Sequence, residues 1–173
     1  MKLPILLACL AFSLPVAARA DAPAPALDQA MQQALTANYQ LACAAALNPT
    51  DDTLQAMFSM LAPAFTDTNI SGEQVTRAQI VSQFGGQLKT FHTTACDQKI
   101  TASQTAPDGT VVTTNVLHLS GSAPLSGSNH PFGLVMTTQD TWSNATGHWL
   151  IAHRRDLHLH IEVDGSVVMD QGV

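Results

Sequence analysis

Apolar and polar residues change period along this chain, and the change falls near Cys96. Before that point the apolar positions recur every three or four residues, as on one face of a helix. Leu27, Met31, Leu35, Tyr39 and Cys43 make one such stripe and predict a helix over residues 27–47, ended by Asn48-Pro49. Thr50 or Asp51 stands as N-cap of a second helix, with acidic residues in its first turn. Its buried face is Leu54, Met57, Phe58 and Leu61, and Pro63 is its stop. Residues 64–70 are too short for a helix and read as a strand. Thr76 and Gln79 then have the spacing of a capping box. They open a third helix that runs to about Phe91 and buries Ile80, Phe84, Leu88 and Phe91. Gly85-Gly86 inside it predicts a bend or a close backbone contact.

After Cys96 the period becomes two. Residues 97–105 and 110–120 read as strands around a turn at Pro107-Asp108-Gly109, and residues 121–129 as a polar surface loop. Residues 132–159 read as two long strands joined by a turn at residues 143–147. Asp164-Gly165 predicts a small hairpin in the tail, residues 164–173. Helices first and a strand meander after them indicate an α+β fold. Three N-terminal helices should pack on one face of a strongly curved antiparallel sheet, a cone-like α+β barrel with room for a cavity between the layers.

Composition narrows the setting. Lys2, the apolar run of residues 5–16 and Ala18-Arg19-Ala20 have the form of a cleaved secretory leader over residues 1–20. Residues 21–26 (DAPAPA) follow as a flexible linker, and residues 27–163 form the folded domain. Cleavage removes Lys2, Arg19 and Cys9 and leaves an acidic chain, which excludes the basic face of a nucleic-acid binder. No second apolar run is long enough to span a bilayer, so no membrane contact is expected after cleavage. The expected location is periplasmic or secreted. Cys43 and Cys96 remain, and an even number in an exported chain suggests a disulfide; two buried thiols are the alternative.

Two stretches carry a family resemblance. The first is Leu61-Ala62-Pro63-Ala64-Phe65-Thr66-Asp67, followed by Gly72 and Arg77-Ala78-Gln79-Ile80. The second is Asp140-Thr141-Trp142, followed by Gly147-His148-Trp149-Leu150-Ile151-Ala152-His153. Together they resemble the nuclear transport factor 2-like superfamily, especially its SnoaL-like polyketide cyclases and ketosteroid isomerase-like proteins. The resemblance spans residues 27–159 and speaks to fold more than to activity, because one scaffold hosts enzymes and binders alike. It implies a pocket for a small apolar or carbonyl-containing molecule. It also implies a homodimer through the outer face of the sheet.

Three positions match ketosteroid isomerases singly. Tyr39 matches the tyrosine that donates to the substrate oxygen, Asp67 the proton-transferring base, and Asp140 a protonated aspartate that is the second oxyanion donor. The plain alternatives are a core tyrosine, a turn aspartate, and an Asp140 paired with Arg155 or Arg77. Strand parity groups His153 with Trp149, Ile151, Arg155 and Leu157 on a buried face, which makes His153 a further catalytic candidate. His118, Trp142, Trp149 and Arg155 are the candidate ligand contacts. Arg154 and Arg155 project to opposite faces, one solvated and the other paired with a carboxylate. His158 and His160 share a face but lack an evident third ligand, so no metal site is expected. No nucleotide-binding, serine-hydrolase, zincin or thioredoxin-like motif is present, and no cofactor is indicated. The chain thus reads as an exported small-molecule-binding protein. The alternative is a cofactor-independent isomerase, cyclase or dehydratase with Asp67 as base.

Overall fold

A computed structural model describes residue 27, residues 29–144 and residues 147–173. The expected leader and linker, residues 1–26, lie outside the described residues, as do two residues of the expected turn at 143–147. Helices α1 (Gln29–Leu47) and α2 (Asp51–Ser59) come first, then strands β1 (Leu61–Thr68) and β2 (Gln74–Thr76), then helix α3 (Arg77–Leu88). Five strands follow: β3 (His92–Thr105), β4 (Val111–Leu125), β5 (Ser128–Ser143), β6 (Leu150–Val163) and β7 (Ser166–Gly172).

Local chemistry explains the boundaries. Thr50 caps α2, its hydroxyl accepting from the amide of Thr53, while Asp51 and Asp52 sit at the positive end of the helix dipole. The capping box at Thr76 and Gln79 forms as expected and starts α3. Gly85 of α3 is buried, and a Cβ there would sit 3.4 Å from the Phe58 ring, so the two helices meet closely at this glycine. Helix α2 stops at Ser59, short of the expected Pro63, and Leu61 and Pro63 lie in β1 instead. The amide of Ile151 donates to Met60 O, which docks the end of α2 and the start of β1 onto β6.

The expected surface loop at residues 121–129 is instead the end of a long hairpin. Strands β4 and β5 pair from Val111 and Trp142 out to Leu125 and Ser128. Ser126 and Gly127 turn it with φ of 50° and 90°, the left-handed pair that suits the twist of a tight hairpin. Asp164 and Gly165 repeat the device between β6 and β7, with φ of 53° and 72°.

The sheet is ordered β2-β1-β6-β5-β4-β3, with β7 also paired to β6. It is open, and it is mixed rather than purely antiparallel, because β1 runs parallel to β6. The three helices cover one face, giving the expected α+β cone. The core gathers Leu35 and Tyr39 of α1, Met57 and Phe58 of α2, Phe65 of β1, and Val111, Trp142 and Ile151 from the sheet.

Cys43 of α1 and Cys96 of β3 are joined by a disulfide, their Cα atoms 5.4 Å apart and 53 residues apart in sequence. It ties the first helix to an edge strand and closes a loop whose entropy in the unfolded chain is worth about 4 kcal/mol. Cys96→Ser should therefore lower the unfolding free energy in urea by a few kcal/mol. An unchanged midpoint and slope would show that the crosslink adds nothing.

Candidate functional site

Between the helices and the concave face of the sheet lies a cavity of about 200 Å³. Its walls are apolar: Ala42 and Ala46 of α1, Met57 and Phe58 of α2, Ile80 and Leu88 of α3, and Leu117, Leu119 and Met136 of the sheet. Asp67, Arg154 and Asp156 are the ionisable side chains that line it, with the Gln98 amide as a further polar contact.

Two irregularities in β6 bring Arg154 and Asp156 inward. Trp142 of β5 faces Ile151, but the next residue back, Thr141, faces His153, which leaves Ala152 as an extra residue. Thr138 faces Asp156 while Thr137 faces His158, which leaves Leu157 extra. Each extra residue is a β-bulge, and each reverses which side chains point inward. Ile151 and Leu159 face the helices as simple alternation predicts, but between the bulges the inward positions are Arg154 and Asp156. His153 and Arg155, expected inside, are turned outward. His153 Nδ1 pairs with Thr66 Oγ1 at 2.9 Å, and Arg155 is exposed.

Asp140 is not a cavity residue. It is fully buried, and both of its oxygens accept from Arg154, Oδ1 from Nε at 2.8 Å and Oδ2 from Nη2 at 3.0 Å. Tyr39 donates to Oδ2 at 2.8 Å, and Asn115 Nδ2 approaches the same oxygen at 3.1 Å. Thr113 bridges the Tyr39 hydroxyl, at 3.0 Å, and the Trp142 indole N–H, at 2.9 Å. The Tyr39 and Trp142 rings meet edge to face with centroids 5.3 Å apart. Burial, then the charge of Asp140, pushes the Tyr39 phenol well above its ordinary range. Burial opposes the charge of Arg154, but Asp140 outweighs it and holds the guanidinium up.

The expected oxyanion pair is thus corrected on geometry. Tyr39 spends its proton on Asp140, and Asp140 accepts from all sides, so neither presents a donor to the cavity. Trp142 is core, fully buried in the same network. Trp149 is half-buried against the core, its carbonyl accepting from Asn38 at 3.1 Å. His118 is exposed, on the outer side of β4 between the cavity residues Leu117 and Leu119. His158 and His160 also lie outside, His158 Nε2 2.8 Å from Asp170 and His160 Nε2 3.2 Å from Glu162.

Asp67 does face the cavity. Its Oδ1 is buried with no hydrogen-bond partner among the described residues. Burial first, and then the neighbouring Asp156, pushes its carboxyl up to about 7, while Arg154 pulls the other way. Asp156 is 9% exposed and raised as well, by burial first. Parity alone misplaces Arg154 and Asp156, because nothing in the residues of β6 marks the two bulges.

No known family model matches this sequence, and no curated protein does. Solved structures do match it by shape. A conserved protein from Planctomyces limnophilus superposes with a TM-score of 0.62 at 10% identity, over 78% of this chain and 98% of that one. A ketosteroid isomerase-like protein from Erwinia carotovora atroseptica gives 0.55 at 12% identity, over 83% and 99%. A type 2 hexachlorocyclohexane dehydrochlorinase gives 0.59 at 8% identity, over 83% and 89%. An NTF2-like protein from Cytophaga hutchinsonii gives 0.52 at 15% identity, over 75% and 98%. The chain therefore has the nuclear transport factor 2-like fold, as the two motif stretches implied.

Two outcomes follow from the geometry. An unfolded chain releases the Asp67 proton near pH 4, whereas the folded chain keeps it to about 7. Between those values the folded state binds more protons, so stability falls as pH rises. Asp67→Asn should flatten that decline in unfolding titrations from pH 4 to 7; an identical slope would mean that Asp67 ionises freely. Asp140→Ala leaves Arg154 without its partner in the interior and should cost about 3–5 kcal/mol. A loss below ~1 kcal/mol would show the pair to be dispensable.

Proposed function

We propose that this chain binds a small, largely apolar molecule in the cavity between helices and sheet, with the polar end of the ligand against Asp67, Arg154 and Asp156. One observation carries the reading: an apolar enclosure walled by all three helices and the sheet holds few polar side chains, with Asp67, Arg154 and Asp156 together on the neighbouring strands β1 and β6. Specific small-molecule sites have this character, few polar groups fixing orientation within an apolar enclosure. The ligand is small, since about 200 Å³ lies below the ~300–1,000 Å³ of common ligand pockets. Export fits the Cys43–Cys96 disulfide, which is consistent with an oxidising compartment. N-terminal sequencing of the protein from the cell envelope should begin at Asp21.

Asp67 favours a second reading, proton transfer. A general base works best with a pKa near the operating pH, and the carboxyl of Asp67 stands at about 7. In this reading Asp67 takes a proton from carbon beside a carbonyl, the C–H electron pair moves into the enolate, and the oxygen charge is met by Arg154. Arg154 thus takes the role expected of Tyr39 and Asp140. The names of the isomerase-like and dehydrochlorinase neighbours agree with such chemistry on this fold. A homodimer through the outer face of the sheet belongs to the same proposal and rests on the fold resemblance.

Three measurements check these readings. Wild type should bind benzyl alcohol in ligand-observed NMR, and Leu119→Trp, which fills the cavity, should abolish the signal while staying folded; equal signals would remove the cavity from consideration. A proton-transfer enzyme should exchange the α-protons of cyclohexanone in deuterated buffer above the buffer rate. Asp67→Asn should cut that excess by at least ~10²; an Asp67-independent rate would rule out this base. Light scattering at micromolar concentration should give the mass of a dimer, and a monomer mass would end that part of the proposal.

A further inference from the structure

The charges at the polar end of the cavity do not balance. Arg154 is the cation there, and its charge is already paired with Asp140, Nε and Nη2 donating at 2.8 Å and 3.0 Å. Asp67 and Asp156 face the same cavity with no cation of their own. Asp156 is 9% exposed, and none of the side-chain hydrogen bonds found among the described residues ends on its carboxylate. Asp67 leaves Oδ1 buried and unmatched. An unpartnered buried acceptor is costly, and two carboxylates side by side are costlier.

We propose that the cavity selects small apolar molecules carrying a protonated amine, with the ammonium held between Asp67 and Asp156 and the apolar body against Leu117, Leu119 and Met136. The inference rests on the binding reading above and names its ligand class. A primary ammonium brings three donors and a positive charge, whereas an alcohol brings one donor. Charge-assisted hydrogen bonds are roughly twice as strong as neutral ones. An anionic ligand would meet two carboxylates and one guanidinium already engaged. Burial raises both carboxyls, and the neighbouring Asp156 raises Asp67 further, which favours the protonated form of each when no ligand is present. The titratable and charged groups that bear on this end are Asp67 on β1, Arg154 and Asp156 on β6, Asp140 on β5 and Tyr39 on α1. The ammonium is held by ionised carboxylates, so amine affinity should rise with pH as Asp67 and Asp156 lose their protons.

Calorimetric titration of the intact disulfide-bonded protein with benzylamine, benzyl alcohol and benzoate separates the possibilities. At pH 7.5 and low salt, benzylamine should bind at least ~10-fold more tightly than benzyl alcohol, with benzoate weakest. The ratio of benzylamine to benzyl alcohol affinity should collapse toward one in Asp156→Asn. If that variant does not fold, the wild-type ratio should shrink at pH 5, where benzylamine stays charged and the carboxyls take up protons. Equal binding of amine and alcohol overturns the amine preference and leaves the cavity reading standing. Tightest binding of benzoate overturns it too and makes Arg154 the anchor. Binding of none of the three ends both.

Discussion

Asp140 lies fully buried at the centre of the sheet, and a carboxylate in that position must be matched on every lone pair. Arg154 matches it two-pronged, and Tyr39 and Asn115 complete the set. Four elements contribute: β5 the acid, β6 the guanidinium, α1 the phenol and β4 the amide. The first helix therefore packs on the sheet through a directional polar contact beneath its apolar stripe. A slip by one turn would leave the phenol and the carboxylate both unmet, so the network sets the register of helix on sheet as well as adding stability.

The same pair shapes the cavity. Arg154 can reach Asp140 only from the inner face of β6, and the bulges at Ala152 and Leu157 put it there. Asp156, two positions on, is carried inward with it. The parallel partner β1 brings Asp67 opposite Arg154, with Phe65 on the same side in the core. An apolar enclosure thereby acquires a polar end from neighbouring strands, held by backbone pairing rather than by loops. Such a site is preorganised, because its side chains are fixed by sheet register and packing.

Much of the fold was legible in the residues themselves. The Thr76–Gln79 capping box, the Gly85 contact and the Asp164-Gly165 hairpin all follow from local rules, and each formed; the third helix, expected to run to Phe91 on a buried stripe, ends at Leu88 and leaves Phe84 and Phe91 exposed. Asp67, singled out from its motif, does line the cavity. Where local signals competed, they failed. Pro63 suggested the end of a helix but lies in a strand, and a polar stretch taken for a loop is the tip of a long hairpin.

What the sequence by itself determined is the order of the helices and long strands, and two cysteines placed to pair, as Cys43 and Cys96 do. What only the tertiary structure decided is which of Arg154 and Arg155, and which of His153 and Asp156, looks inward. The physical reason is that a strand has a period of two, so one inserted residue reverses every choice after it. Composition does not mark the bulges at Ala152 and Leu157; they appear only when β6 is laid against β5. Tyr39 and Asp140 were expected to be two donors to a substrate oxygen, yet they bond to each other. That orientation depends on residues 74 to 101 positions away in the chain, and local spacing carries no record of it.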